Sequence, residues 1–122
     1  MPRVVHFEMG ADQPERAAKF YTEVFGWKIS RWEGPQPYWL VMTGEEGEPG
    51  INGGIMNRSP GMPPTVNTVG VESIDDSLAC VNASGGRVLR PKMAIPGVGW
   101  LAYCTDTEGN AFGLMQPDPG AK

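Results

Sequence analysis

His6 and Glu8 stand two residues apart in a stretch where Val4, His6 and Glu8 alternate with Val5, Phe7 and Met9. That two-residue period is a β-strand with one mostly polar and one apolar face, so imidazole and carboxylate share a side, roughly 7 Å apart along the strand. Such a pair can move a proton or anchor a polar ligand. His6 is the only histidine, so no His-His metal pair exists and any histidine base must be this one. The competing account is structural, with His6 hydrogen-bonded in the interior and Glu8 paired to a nearby backbone or basic group.

Trp39 and Trp100 lie 61 residues apart, each close to a tyrosine, Tyr38 or Tyr103. Together with Met42, Met56 and Met115 they suit a flat or apolar ligand if they line a cavity, or they fill the core between helices and sheet. Asn52 and Asn67 are polar anchors on the first account and satisfy turn or strand-edge backbone on the second. The acidic run Gly44-Glu45-Glu46-Gly47-Glu48-Pro49-Gly50 reads as a solvated hairpin loop in preference to a holder of a cationic ligand. Ile95-Pro96-Gly97-Val98-Gly99 has neither a following helix nor a lysine placed for phosphates, which excludes a nucleotide loop. No serine sits in a nucleophile elbow. Cys80 and Cys104 have neither C-x-x-C nor zinc spacing and read as free thiols of a reducing compartment.

The chain that must position these groups has 122 residues, 40% hydrophobic and 20% charged, enough for one folded domain and too apolar for disorder. Ten basic against 14 acidic residues give a net charge of −4, which disfavours a nucleic-acid partner. No apolar run approaches the ~20 residues of a membrane span and no signal-peptide core opens the chain, so a cytoplasmic location is expected.

The elements repeat. After the first strand, Asp12-Gln13-Pro14-Glu15 reads as an acidic cap with proline in the first turn, and an apolar stripe from Ala17 to Phe25 predicts a helix over 13–25 that stops at Gly26. Strands are predicted over Trp27 to Trp32, Tyr38 to Thr43 and Gly50 to Asn57. Beyond the join Ser59-Pro60-Gly61-Met62-Pro63-Pro64 the order recurs. A strand over Thr65 to Val71 precedes a helix capped by Ser73, over 74–84. Strands near Arg87 to Arg90, Gly99 to Thr105 and Asn110 to Gln116 follow. A shift of 60 superposes Pro14 on Ile74, Ala18 on Leu78 and Gly26 on Gly86, the mark of an internal duplication. Residues 1–122 are thus expected to form a single domain, module 1 about 1–59 and module 2 about 65–117.

His6, fourteen residues before Phe20-Tyr21, with Val24-Phe25-Gly26-Trp27-Lys28-Ile29 following, resembles the glyoxalase/bleomycin-resistance (vicinal oxygen chelate) superfamily. Val71-Glu72-Ser73-Ile74-Asp75-Asp76, Gly85-Gly86-Arg87-Val88, Ile95 to Gly99 and Asp106 to Gly113 resemble its second module. The resemblance implies an α+β fold of two βαβββ modules forming an open eight-stranded mixed sheet, a cup with the helices on its outer face, and a homodimer. Family members with metal chemistry take ligands from the first and last strand of each module. Those positions fall on His6, Val66, Gly53 and Gly113, and a register one residue away offers Asn52, Asn67 and Gly54. One ligand is too few for a catalytic metal, so no metal or other cofactor is expected, and no glyoxalase I activity on a glutathione hemithioacetal. Gly53 and Gly113 would instead open volume in the cup. The reading that results is a metal-free cavity protein binding a small organic molecule through His6, Glu8, Trp39, Asn52 and Trp100, as a sequestering module or a weak acid-base enzyme. The alternatives are a metal-dependent lyase, isomerase or dioxygenase using His6, and a structural use of the fold without a cavity.

Overall fold

The computed structural model describes all 122 residues. Its order is β1 (Arg3–Ala11), α1 (Pro14–Phe25), β2 (Lys28–Arg31), β3 (Tyr38–Met42), β4 (Asn52–Asn57), β5 (Thr65–Gly70), α2 (Ile74–Ala83), β6 (Arg87–Ile95), β7 (Gly99–Thr105) and β8 (Ala111–Pro117). This is the α+β alternation read from the sequence, one βαβββ set after another. Two compact units emerge. One is His6–Val66; the other is Asn67–Lys122 together with Met1–Val5.

In the His6–Val66 unit the strands run β2-β3-β4-β1, antiparallel except for the parallel β1–β4 pair. Cross-strand partners place His6 beside Asn52, Glu8 beside Gly54, and Leu40 on Gly54's other side. Alternation then puts His6, Glu8, Asn52, Gly54 and Tyr38 on one face, and Phe7, Gly53, Ile55, Val41 and Trp39 on the other. Helix α1 belongs to the second face. The rings of Phe7, Tyr21, Phe25 and Trp27 meet there at centroid distances of 5.1–6.3 Å, and Val41 and Ile55 are fully buried. The helix ends where Gly26 adopts φ 73° and its N–H reaches the Thr22 carbonyl, a left-handed turn that a side chain resists. Its start differs from the expected acidic cap. Gln13 is the N-cap and makes no side-chain cap bond, and the Asp12 carboxylate is turned onto Arg58 Nη1 at 2.9 Å.

The other unit orders its strands β5-β8-β7-β6, again with one parallel pair, β5–β8. Val71, Ile74, Ala102, Cys104 and Leu114 form its core, and Trp100, Leu78 and Val81 pack against them. Helix α2 is capped as its sequence predicts, with Ser73 Oγ accepting from the Asp76 N–H. Strand β6 runs to Ile95, five residues past the expected end at Arg90. It is the outer strand of this unit and absorbs Pro91 through shifts of register between Val88 and Met93, which an edge position tolerates. Neither helix is long and apolar enough to cross a membrane.

Candidate functional site

The polar face of the His6–Val66 unit carries a hydrogen-bonded chain of three side chains. The Tyr38 hydroxyl donates to Glu8 Oε2 at 2.9 Å and lies 2.7 Å from His6 Nε2. Because that hydroxyl proton goes to the carboxylate, the phenolic oxygen accepts from His6, which fixes neutral His6 as the Nε2–H tautomer and leaves Nδ1 with a free lone pair. Glu8 is 6% exposed. Burial lowers the His6 pKa below its ordinary value, and the Glu8 charge only partly restores it. The result is an imidazole that is uncharged near neutrality yet backed, through one hydroxyl, by an anion. Should Nδ1 take a proton, the new positive charge is shared along Nε2–H to Tyr38 and on toward Glu8.

Glycine makes this arrangement possible. A Cβ at Gly54 would collide with the Tyr38 hydroxyl and ring, so the tyrosine reaches from β3 across β4 to β1 only because Gly54 has no side chain. The sequence reading had Gly53 opening space in this place. Gly53 instead lies on the helix-covered face, beneath the Phe7 ring, since the repeat that relates the last strands is 59 residues: Gly113 pairs with Thr68 as Gly54 pairs with Glu8. Nor is the space at Gly113 open. Thr68 Oγ1 sits 2.7 Å from where a Cβ would stand.

Of the residues singled out from the sequence, His6 and Glu8 share a face and a hydrogen-bond chain. Asn52 shares that face beside His6, but its side-chain oxygen accepts from the Thr43 N–H at 2.9 Å and from Thr43 Oγ1 at 3.3 Å, closing the β3–β4 hairpin. Trp39 is a correction. It lies on the opposite, helix-covered face with Val41 and Ile55, and Arg31 sits 4.7 Å above its ring. Trp100 is another. It alternates with Ala102 and Cys104 onto the face that α2 covers, with Nε1 donating to Asp118 at 3.0 Å and Lys92 at 5.1 Å from the ring. Pleating sends adjacent residues to opposite faces, so choosing the tryptophan at 39 missed the tyrosine at 38.

The donor set for a metal does not fit. No three His, Cys, Asp or Glu side chains are grouped to hold an ion. His6 Nε2 is engaged with Tyr38, and the other family positions are glycine or the buried Val66.

A sequence model described as bleomycin resistance protein-like N-terminal matches residues 3–44. Glyoxylase-named CFP32 proteins of Mycobacterium bovis and Mycobacterium tuberculosis are 33% identical over 106 residues, 82% of this chain. The chain belongs to the glyoxalase/bleomycin-resistance superfamily. This glyoxalase-like chain spans 40% of the length of those curated relatives. Among solved structures it is similar to a hypothetical protein of Bacillus halodurans (TM-score 0.72, 14% identity, 98% of this chain and 97% of that one). It is also similar to methylmalonyl-CoA epimerase of Mycobacterium tuberculosis (0.69, 13%, 95% and 88%). A methylmalonyl-CoA epimerase in complex with methylmalonyl-CoA and NH4+ gives 0.71 at 13% identity over 100% and 99%. These likenesses show the fold of the glyoxalase-like chain.

Proposed function

We propose that this glyoxalase-like chain binds a small organic molecule without a metal and presents His6 Nδ1 to an acidic or hydrogen-bonding group of that molecule. The observation that carries the reading is the Glu8–Tyr38–His6 chain, which orients the imidazole and fixes its tautomer, while Glu8 offsets part of the cost that burial puts on a positive charge there. Such a base suits removal and return of a proton beside a carbonyl, the weak acid-base activity of the enzyme reading. Because fold neighbours are named methylmalonyl-CoA epimerases, acyl thioesters are among the first ligands to try. Free thiols at Cys80 and Cys104 support a cytoplasmic setting, and exposed Phe20, Val24 and Phe25 on α1 support a homodimer. The acidic net charge speaks against a nucleic-acid partner.

The test is calorimetric titration with small carboxylic acids, acyl thioesters and a glutathione hemithioacetal, each with and without zinc, nickel and ferrous iron. Metal-independent binding that weakens tenfold or more in His6→Ala and Tyr38→Phe, with both variants folded, is the expected result. Binding that appears only with a metal, or that ignores both substitutions, refutes the proposal.

A further inference from the structure

Beside Glu8 the same unit contains a cavity of about 60 Å³. Its walls include Glu8 and Gly10 of β1, Asn57 at the end of β4, Ser59 and Met62 of the join, and Val66 of β5. On this measure a water needs about 10–15 Å³ and two to four polar partners, so the cavity takes a few waters and excludes an organic ligand of ordinary size. Glu8, Ser59 and Arg58 bring a carboxylate, a hydroxyl and a guanidinium to its wall. Asn57 is solvent-exposed whereas Glu8 is buried, so the cavity runs from the interior carboxylate toward bulk water. The backbone holds it in shape, with the Gly10 N–H on the Pro64 carbonyl at 2.7 Å and the Met62 N–H on the Ser59 carbonyl at 3.1 Å.

We infer that this cavity is a water-filled proton outlet, and that Glu8 exchanges protons with solvent through it on behalf of His6. A proton arriving at His6 Nδ1 gives the imidazolium. Nε2–H passes its proton to the Tyr38 oxygen as the Tyr38 hydroxyl proton passes to Glu8, and Glu8 hands that proton to cavity water. One proton enters and one leaves; His6 ends neutral with Nδ1–H, Tyr38 remains a phenol and Glu8 a carboxylate. Running in reverse, the same path supplies a proton to a ligand. The inference rests on the relay reading of the site, but its test needs no ligand, so a failure to find one leaves it standing.

His6 is the only histidine, so in protein labelled with ¹⁵N-histidine the Nε2–H signal belongs to one residue. Its exchange with water is read by saturation transfer. Filling the cavity with Met62→Phe, or independently with Val66→Leu, should slow exchange at least fivefold, while Met62→Ala, which widens it, should not. Glu8→Gln keeps an acceptor for Tyr38 but cannot carry the proton, and should slow exchange to the same degree. Exchange at the wild-type rate in folded filled variants or in Glu8→Gln overturns the inference, as does slowing by Met62→Ala.

Discussion

Replacing Tyr38 by phenylalanine removes one oxygen and leaves the ring over Gly54, so it tests the hydrogen-bond chain with little change of packing. The hydroxyl makes one bond to a buried carboxylate and one to a neutral imidazole. A bond to a charged group contributes about 1.5–3 kcal/mol and a neutral one about 0.5–1.5. Their sum, about 2–4.5 kcal/mol, is the expected loss of stability in urea unfolding, and at this chain length it lowers the melting temperature by roughly 8–18 °C. Packing alone does not predict coupling. A cycle of Tyr38→Phe, His6→Ala and the double variant should therefore show about 1 kcal/mol of interaction. A single-variant loss below about 0.5 kcal/mol together with additivity would mean that the hydroxyl is solvated and the chain does not hold the imidazole.

Burial lowers the His6 pKa, so the unfolded chain binds more protons than the folded one at mildly acidic pH. The His6 contribution to stability is complete above the unfolded value, falls as pH drops through about 6.5 toward the lower folded pKa, and levels off below it. Urea unfolding between pH 5 and 7.5 should show this fall in the wild type and a shallower one in His6→Gln. Gly54→Ala should displace Tyr38 and cost about 1–3 kcal/mol or more, and the His6 ring signals should move in the NMR spectrum. Thr68→Val should have the opposite sign. Thr68 Oγ1 is buried without a hydrogen-bond partner, so removing it should raise stability by about 1 kcal/mol in the same urea assay.

What the sequence made legible depended on what each signal could resolve. Periodicity and punctuation gave both helices, the eight strands and their duplication, because a helix stop at Gly26 or a cap at Ser73 is a local event. The pair His6 and Glu8 was legible for the same reason, two polar residues at the period of a strand. Tyr38 was not. It stands beside Trp39, alternation says only that one of them faces each way, and the choice is made by cross-strand register and by the gap at Gly54, 46 residues from Glu8. A repeat of 60 fitted to the helices misplaced the last strands by one residue, enough to exchange Gly53 for Gly54 and turn the expected opening into a site occupied by tyrosine. Asp12 looked like a cap because its eventual partner, Arg58, is remote in sequence.

The division of the chain also sets a schedule for its synthesis. Met1–Val5 belongs to the unit that resumes at Asn67, and Val5 lies where a side chain on Gly70 would touch it. Residues 1–5 are synthesised before the partners that complete their unit, which come some sixty residues later, about 3–12 s at ordinary elongation rates. Meanwhile His6–Val66, with its relay, contains all its own contacts in one continuous stretch. The nascent chain can therefore assemble the unit that carries the Glu8–Tyr38–His6 chain first, while residues 1–5 wait for the partners that complete their own unit.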